Sequence, residues 1–256
     1  MNSYKSDAVI LTAVVTETNA VMQVFDSWKR RVVPGDAQKY YETILPRGDR
    51  ELHVLTAQQK VMGMTADTLL ATKVIEIFRP RYLILSGIAA GTGDEAKQMM
   101  GDVLVPDVVW DYSTGKYVGP DESEIRFGDV GFLPRPMSIR LHDEMKRIVE
   151  NTVGMPDNEC RVHIGPLACG SSVVANANFV DKQIRGLYPH TIGLDMESYA
   201  VFFAAENVLE PRPMALVAKS ICDFASEKKD DRFQKFAAYT SAQYVRYLLE
   251  KHLPFS

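Results

Sequence analysis

The chain has 256 residues, of which 46% are hydrophobic and 24% are charged, a composition typical of a globular protein with a sizeable core. Its formal net charge is −4 and it has no long run of Lys or Arg, so electrostatics gives no reason to expect a nucleic acid or a membrane surface as partner. No segment approaches the roughly 18 consecutive apolar residues of a membrane span. The apolar run near the N-terminus is short and lacks a cleavage site, which favours a buried strand over a signal peptide. We therefore expect a cytoplasmic protein.

Side chains that bind metals are few and scattered. The three cysteines, Cys160, Cys169 and Cys222, are odd in number and lack metal-site spacing, which favours free thiols in a reduced compartment. The five histidines form no HExxH motif and no i, i+4 pair. We expect neither a bound metal nor a cofactor.

Short apolar runs alternate along the chain with longer amphipathic stretches. The runs predict strands at Ala8–Val15, Glu51–Ala57, Tyr82–Ser86, Val103–Val109, Val162–Cys169, Thr191–Leu194 and Met214–Ile221. The stretches predict helices at Glu17–Arg30, Thr65–Phe78, Ser138–Val153, Asn178–Leu187, Ser198–Asn207 and Arg232–Leu249. Pro80 is expected just past a helix end, because proline cannot continue the hydrogen-bond ladder. The polar stretch Asp111–Pro136 is predicted to be a long surface loop.

This alternation favours a mainly parallel sheet whose crossovers are covered by helices. We predict an α/β fold, a three-layer sandwich with a mainly parallel, twisted central sheet flanked by helices. No repeat, low-complexity tract or linker is evident in the sequence, so one domain is expected over residues 1–256.

Candidate functional residues follow four of the predicted strands, at the sheet edge where open α/β folds bind ligands. They are, in chain order, Glu17, the segment Gly87–Gly93, the segment Asp195–Glu197, and Cys222–Asp223. Ordinary structural roles exist for three of them. Glu17 can complement a helix dipole, Asp223 can cap a turn, and a glycine-rich turn after a strand is common. The segment Gly87–Gly93 matches neither GxGxxG nor the P-loop pattern. Glu197 is harder to explain in this way, because burying a charge at the end of an apolar strand is costly.

An ordered set of motifs resembles the nucleoside phosphorylase and nucleosidase superfamily. Gly87–Gly91 followed by Gly101–Val105 is similar to its GxAGG…GDVVV signature, Gly193–Ser198 to its E-M-E strand end, and Ala215–Ala225 to its final V-(R/K)-x-I-S-D strand. Ala13–Glu17 matches the A-x-x-x-E of methylthioadenosine/S-adenosylhomocysteine nucleosidases, and Ala168–Val174 corresponds to their S-G-D-x-F-I stretch. Each motif alone is weak, but together they span nearly the whole chain in the right order.

The resemblance implies a purine nucleoside or nucleotide N-ribosyl hydrolase. Asp223 would be the general acid at purine N7, and Glu17 would activate the attacking water. Glu197 and Met196 would bind the ribose. The remaining implied substrate-binding residues are Ala89, Gly91, Ser172, Val173, Val174 and Asp195. Two separated carboxyl groups suit this chemistry, because cleavage of the ribosyl C–N bond builds negative charge on the purine and positive charge on the sugar.

The chain departs from the family pattern at several positions. Cys222 replaces Ser, Asp195 replaces Glu, Ala90 replaces the first of two paired glycines, and Val173 replaces a base-stacking Phe. The purine-stacking surface therefore either differs or comes from Phe179, Trp110 or Tyr112. These changes concern substrate preference more than reaction class.

Two alternatives to hydrolysis stay open. A phosphorylase needs a phosphate site, yet no GDPxR-like segment follows the first strand and no arginine precedes Gly87 in its strand. Arg47 and Arg50 are the only early pair that could bind phosphate, and a solvated turn is the more common setting for such a pair, so water is the favoured nucleophile. The second alternative is a sensor that binds a nucleoside without cleaving it. Retention of Glu17 and Asp223 together with Glu197 argues against a sensor.

The 5′ substituent and the assembly are also open. The segments Asp111–Lys116 and Ile221–Gln234 resemble nucleosidase-type domains that are often fused to signalling or defence modules, which suggests AMP or ATP as a substrate. Lys116, Lys228, Lys229 and Arg232 are then candidates for contact with a 5′-phosphate, although solvation is the more common role of such residues. Relatives commonly complete their pockets across a subunit interface, so we expect a homo-oligomer, with a dimer favoured, that binds a small-molecule nucleoside or nucleotide.

Overall fold

The structure, a computed structural model, describes residues 3–93, 97–117, 132–226 and 231–255. The strands in chain order are β1 (Ser6–Thr12), β2 (Lys29–Arg31), β3 (Tyr40–Arg47), β4 (Arg50–Gln58), β5 (Pro80–Gly91), β6 (Val103–Asp111), β7 (Gly115–Tyr117), β8 (Phe132–Pro134), β9 (Ser138–Arg140), β10 (Val162–Cys169), β11 (Gly193–Asp195) and β12 (Met214–Asp223). The helices are α1 (Val15–Val24), α2 (Met64–Phe78), α3 (Asp143–Thr152), α4 (Ala177–Phe179), α5 (Arg185–Leu187), α6 (Ser198–Glu206) and α7 (Gln234–Tyr247). π-Helical turns join α4 to α5 and extend α7 to His252.

Ten of the described strands form one mixed sheet in the order β11-β10-β6-β12-β5-β1-β4-β3-β2, with β9 added beside β6. Its centre is parallel. Leu85 of β5 is in register with Leu11 of β1 on one side and with Val217 of β12 on the other. These three strands therefore end at one edge of the sheet, which brings the residues that follow them close together.

One half of the sheet closes on itself. The end of β5 pairs with β12 and also, in antiparallel fashion, with β11, where Gly91 is opposite Gly193. The strands β5, β12, β6, β10 and β11 thereby form a ring. Because of this closure, the end of β11 lies beside the end of β5, and Leu194 is opposite Ala90.

The sheet is flanked by helices that pack in pairs, α1 with α7 and α2 with α6. The central strands are apolar on both faces, as expected for parallel strands covered on both sides. Ile10, Leu83, Ile84 and Val217 are fully buried. The predicted α/β sandwich with a mainly parallel central sheet is thus confirmed, and its ring-like half is an addition to the prediction. None of the described helices is both long and apolar enough to span a membrane.

Several predicted boundaries are wrong near the N-terminus. The first strand ends at Thr12 instead of Val15, and the first helix covers Val15–Val24 instead of Glu17–Arg30. The chain then forms the hairpin of β3 and β4, of which only the second strand was predicted. Gly48, with a φ of 58°, occupies the two-residue turn of this hairpin. A Gly-Asp pair between two alternating runs is a sequence signal for such a turn.

Two further predictions need correction and one is confirmed. The helix expected over Ser138–Val153 begins only at Asp143, because Ser138–Arg140 is the edge strand beside β6. The loop expected over Asp111–Pro136 lies largely outside the described residues, and its described ends include the paired strands β7 and β8. Pro80 follows the end of α2 as predicted, and it begins β5.

Candidate active site

A cavity of about 540 Å³ lies at the carboxyl ends of β1, β5 and β12 and at the end of β11. Its described lining consists of Ala13, Val14, Thr16, Glu17, Met62, Ile88, Ala89, Ala90, Ser172, Val173, Val174, Leu194, Asp195, Met196, Glu197, Cys222, Asp223, Asp231 and Gln234. The lining therefore combines an apolar floor with five carboxyl groups. Such a concave apolar site with a few convergent polar groups is the usual form of a small-molecule site.

Glu17 reaches this cavity from the first turn of α1. Its Oε2 accepts hydrogen bonds from the backbone N–H groups of Ala13 (2.6 Å) and Val14 (3.1 Å), and its Oε1 accepts one from the N–H of Ile88 (2.8 Å). The side chain is 2% exposed. Burial raises the pKa of Glu17, although the positive charge of Lys219 and these hydrogen bonds oppose the shift.

Gly87 provides the space that the Glu17 carboxylate occupies. A Cβ added at Gly87 would lie 2.2 Å from Glu17 Oε1, closer than any real contact. The glycine that opens the Gly87–Gly93 segment is therefore explained by the close approach of the carboxylate to the β5 backbone. The segment is not a separate turn, since β5 continues through it to Gly91.

Glu197 lies between β11 and α6, where it is the N-cap residue of α6. Its Oε1 accepts hydrogen bonds from Gln59 Nε2 (3.2 Å) and from the N–H of Gly63 (2.9 Å). Gly63 has a φ of 110°, a conformation that favours glycine, and this conformation directs its N–H toward the carboxylate. The preceding carboxyl group, Asp195, accepts hydrogen bonds from the N–H (3.1 Å) and the hydroxyl (2.5 Å) of Ser198.

Lys219 of β12 joins these carboxylates. Its Nζ lies 3.4 Å from Glu197 Oε2, 3.6 Å from Asp195 Oδ2 and 3.8 Å from Glu17 Oε1, and the residue is fully buried. Burial alone would lower the pKa of Lys219, but the neighbouring carboxylates outweigh it and raise the pKa. Lys219 is therefore a charged ammonium that holds three carboxylates in one cluster.

Asp67 is a fourth carboxyl group near this cluster. It lies in the first turn of α2 and is fully buried. Neither of its carboxyl oxygens has a hydrogen-bond partner among the described residues. Burial raises the pKa of Asp67 well above its usual range, and the negative charge of Glu197 adds to the shift.

Asp223 ends β12 on another wall of the cavity. Its Oδ1 accepts a hydrogen bond from the N–H of Ala225 (2.8 Å), and the thiol of Cys222 donates to its Oδ2 at 3.4 Å. Ala225 has a φ of 51°, a left-handed conformation that is unfavourable for alanine. This local strain directs the Ala225 N–H at the carboxyl group, and strain of this kind is common at functional sites.

Ser172, Val173 and Val174 form a further wall, and aromatic side chains support it from behind. Tyr112 donates a hydrogen bond from its hydroxyl to the Ser172 carbonyl (3.2 Å). Phe179 packs edge-on to Tyr112 with a centroid distance of 5.8 Å. Trp110 is fully buried beside them. None of the three rings is among the described residues of the cavity lining, so they support the wall instead of supplying a stacking surface.

The structure brings most of the sequence-predicted site residues to this cavity. Those in its lining are Glu17, Ala89, Ser172, Val173, Val174, Asp195, Met196, Glu197 and Asp223. Gly91 is not in the lining, because it pairs with Gly193 inside the sheet.

Arg47 and Arg50 are not in the lining either. They flank the β3–β4 turn at the opposite end of the sheet, where Arg50 pairs with Asp7 near the start of β1 (3.4 Å). Both guanidinium groups donate to backbone carbonyls near the C-terminus, of Leu253 and Phe255, and both lie over the Phe255 ring.

The proposed phosphate-contacting lysines and arginine are only partly described. Arg232 lies beside Asp231 of the lining, in the turn that leads into α7. Lys116 is exposed on β7. Lys228 and Lys229 lie outside the described residues.

Sequence reasoning missed Lys219, Asp67, Gln59 and Gly63 as members of the site. For Lys219 a signal was present, because a lysine inside the apolar strand Met214–Asp223 must have charged partners when it is buried. Asp67, Gln59 and Gly63 come from the β4–α2 connection and α2, and only the packing of α2 against α6 brings them to Glu197. Across the described ranges, no group of three or more His, Cys, Asp or Glu side chains could hold a metal ion.

Comparison with known proteins gives a family match over most of the chain. The sequence profile of the Phosphorylase superfamily matches residues 7–251. The Sinorhizobium fredii protein y4jS is 28% identical over 242 residues, which cover 88% of this chain and 56% of that protein. The ATP nucleosidase Cap17 of Escherichia coli is 24% identical over 262 residues, which cover 91% of this chain and 49% of that protein. The chain thus spans about half the length of these curated relatives.

Solved structures share the fold. The 5′-methylthioadenosine/S-adenosylhomocysteine nucleosidase of Neisseria meningitidis, in complex with methylthio-immucillin-A, superposes with a TM-score of 0.72 at 20% identity. The superposition covers 96% of this chain and 99% of that one.

Proposed function

The chain belongs to the phosphorylase superfamily, as its motifs predicted, and we propose that it is a purine nucleosidase that hydrolyses the N-glycosidic bond. One observation carries the proposal: a single cavity is lined by Asp223, by the buried carboxylate of Glu17 and by Glu197, with the Lys219 ammonium between the last two. These residues can act on both groups that the N-glycosidic bond joins, the purine base and the ribose. Its relatives include nucleosidases, which supports the same reaction class.

Asp223 acts on the leaving base. The departing purine carries negative charge, and a carboxylic acid at N7 neutralises it. The hydrogen bonds from Ala225 and Cys222 fix the orientation of the Asp223 carboxyl group, which is part of the cavity lining. Ser172, Val173 and Val174 hold the base, with Val173 as an aliphatic contact where an aromatic ring was expected.

Glu17 activates the water. A carboxylate offers about four acceptor positions, and three backbone N–H groups already bind Glu17. The remaining capacity accepts a hydrogen bond from the attacking water. Its raised pKa makes Glu17 a better base than an ordinary glutamate.

Glu197 and Met196 contact the sugar. The second oxygen of Glu197 accepts a hydrogen bond from Lys219, and the carboxylate also accepts hydrogen bonds from the ribose hydroxyls. The cluster of Glu17, Asp195 and Glu197 around one ammonium has an excess of negative charge. Preorganised negative charge of this kind stabilises the oxocarbenium-like sugar of the transition state.

Water is favoured over phosphate as the nucleophile. Among the described residues of the lining there is no Arg and no Lys, and Lys219 is occupied by three carboxylates. Arg47 and Arg50 bind the C-terminal backbone at the other end of the sheet. A phosphate dianion beside these carboxylates would be repelled.

The 5′ substituent separates two substrate classes, thioether nucleosides and nucleotides. The nucleotide class is supported by the match to the E. coli ATP nucleosidase over 91% of this chain. The thioether class is supported by the apolar side chains of Val14 and Met62 in the lining. We propose a nucleotide as the first substrate to test.

A homo-oligomer is also proposed. Met62 lines the cavity and is 54% exposed, and the preceding residue, Val61, is 66% exposed. Contiguous exposed apolar side chains of this kind are typical of an interface. Light scattering of the purified chain would give a mass of twice 28.7 kDa for the favoured dimer.

Chromatography of free base tests the proposed function. The protein is incubated with adenosine, inosine, methylthioadenosine, S-adenosylhomocysteine, AMP and ATP, with and without phosphate. We expect release of free base without phosphate from at least one of them. Release only with phosphate would show a phosphorylase, and binding without release from any of them would show a sensor.

A further inference from the structure

Asp67 is the one carboxyl group near the Lys219 cluster, among the described residues, without a hydrogen-bond donor. Glu17 accepts three backbone N–H groups, Asp195 accepts from Ser198, and Glu197 accepts from Gln59, Gly63 and Lys219. Both oxygens of Asp67 lack such a partner, and its side chain is fully buried. An ionised carboxylate without donors is far more costly to bury than a neutral carboxylic acid.

Three of the four surrounding charged groups favour the neutral form of Asp67 as well, and only the ammonium of Lys219 opposes it. The groups that face Asp67 are Glu197 before α6, Lys219 on β12, Asp195 on β11 and Glu17 on α1. On α2 itself, Lys73 is paired with Asp36. One ammonium therefore faces four carboxyl groups, and three of them lie within 4 Å of it. Burial raises the pKa of Asp67 well above its usual range, in agreement with this geometry.

We infer that Asp67 is a positioning residue that stays protonated in the working enzyme and so leaves the charge of Lys219 to Glu17, Asp195 and Glu197. When Asp67 loses its proton, its negative charge competes with Glu197 for the single ammonium. Glu197 then holds the sugar less well. The proton leaves to solvent, and no bond other than the O–H bond of Asp67 is broken.

Infrared spectroscopy tests the protonation state without any substrate. The difference spectrum between wild type and Asp67→Asn at pH 7 is expected to show the loss of the carbonyl band of an un-ionised carboxylic acid. The matched control is Asp157→Asn, since Asp157 is ion-paired with Lys251 at the surface and has a lowered pKa; this variant should lose carboxylate bands instead. Loss of carboxylate bands in Asp67→Asn would overturn the inference.

Kinetics test the positioning role, which rests on the proposed function. Asp67→Asn copies the neutral acid in shape but cannot ionise, so any change in its kcat/KM should be the same at pH 7 and at alkaline pH. The KM of wild type should rise at alkaline pH as Asp67 ionises, whereas the KM of the variant should not. An equal alkaline rise of KM in wild type and in a variant that melts cooperatively would overturn the role.

A second variant protects the test against misfolding. Asp67→Leu is similar in size and leaves no buried polar atom, so it should fold even if the asparagine does not, and it should show the same infrared difference. Failure of the proposed function and failure of the inference about Asp67 are distinguishable. If wild type releases no base from any substrate, the proposed function fails, and the infrared result still decides the protonation of Asp67.

Discussion

The Lys219 ammonium lies 3.4 Å from the Glu197 carboxylate inside a site where both side chains are almost fully buried. A lone charge of either sign would be costly at this depth, so each group depends on the other. Lys219 also contacts Glu17 and Asp195, and it thereby links the proposed water-activating group to the proposed sugar-binding group. We expect stability and catalysis to depend together on this one cation.

Removal of that cation should destabilise the protein strongly. Lys219→Met keeps the unbranched shape of the side chain up to the position of Cε but leaves three carboxylates without a counter-charge. We expect a loss of about 3–5 kcal/mol in the free energy of unfolding at neutral pH, as for other broken buried ion pairs. Urea denaturation followed by circular dichroism measures it. A loss below about 1 kcal/mol would contradict the described cluster.

The same variant should respond to pH with a defined sign. The Glu17 and Asp195 carboxyl groups already have raised pKa values because of burial, and loss of Lys219 removes the charge that opposes the shift. A carboxyl group whose pKa is raised on folding stabilises the fold below its unfolded pKa and loses this contribution as the pH rises through the folded pKa. Lys219→Met should therefore recover stability, relative to wild type, as the pH falls from 8 to 5. An unchanged difference across this range would argue against the cluster.

Gly87→Ala should impair catalysis through the position of Glu17. The added Cβ would lie 2.2 Å from Glu17 Oε1 and would displace the carboxylate. A displacement of about 1 Å in a catalytic group can cost on the order of 10²-fold in rate, and overpacking costs about 1–3 kcal/mol. The matched control is Gly186→Ala in α5, where the nearest atom would be at an ordinary 3.8 Å. Equal kcat/KM values for both variants would show that Glu17 needs no such space.

Asp223→Asn should remove the proposed acid while keeping the shape of the site. We expect kcat to fall by about 10²–10⁴-fold with little change in KM, because general acid catalysis acts on the departing base more than on the bound substrate. Asp157→Asn, at an exposed ion pair with Lys251, is the control for the substitution type and should retain full activity. A fall of less than tenfold in kcat for Asp223→Asn would contradict the assigned acid.

Arg47 and Arg50 should contribute to the stability of the fold and should not bind a phosphate nucleophile. Replacing both Arg47 and Arg50 by alanine removes two partly buried hydrogen bonds, to the carbonyls of Leu253 and Phe255. We expect a loss of roughly 1–3 kcal/mol in stability and an unchanged rate of base release per folded molecule, with and without phosphate. A selective loss of a phosphate-dependent reaction in this double variant would show that Arg47 and Arg50 bind the phosphate nucleophile.

Much of the fold and the placement of the candidate site residues could be predicted, because strands and their ends are visible as local sequence patterns, whereas the roles of these residues came from the family resemblance. Glu17 and Glu197 follow apolar strands and Asp223 ends one, and parallel strands bring such ends to one edge. The hairpin strand Tyr40–Arg47 was missed because its alternation is interrupted by polar residues and by Pro46, and its pairing with β4 satisfies the backbone in the fold. The extension of β5 to Gly91 was missed because its pairing with β11 joins segments that are about a hundred residues apart.

The remaining features depend on packing that no local pattern reveals. Asp67 resembles an ordinary helix N-terminal acid in the sequence, and only the contact of α2 with α6 buries it beside Glu197. Trp110 and Phe179 were candidates for base stacking, but the register of β6 beside β10 places Trp110 behind the wall of the cavity. The three-dimensional neighbourhood of a buried charge, such as Lys219, therefore has to be seen in the structure.

Oxygen-isotope labelling tests the central claim most directly, namely that Glu17 and Asp223 hydrolyse the N-glycosidic bond with water. The protein is supplied, in heavy-oxygen water without phosphate, with whichever purine substrate of the panel it cleaves, and the sugar product is analysed by mass spectrometry before exchange. The account predicts one heavy oxygen at the anomeric carbon of the sugar, at a rate that falls by at least about 10²-fold in Glu17→Gln. A sugar phosphate formed only when phosphate is added, or labelled product formed equally fast by Glu17→Gln, would contradict it.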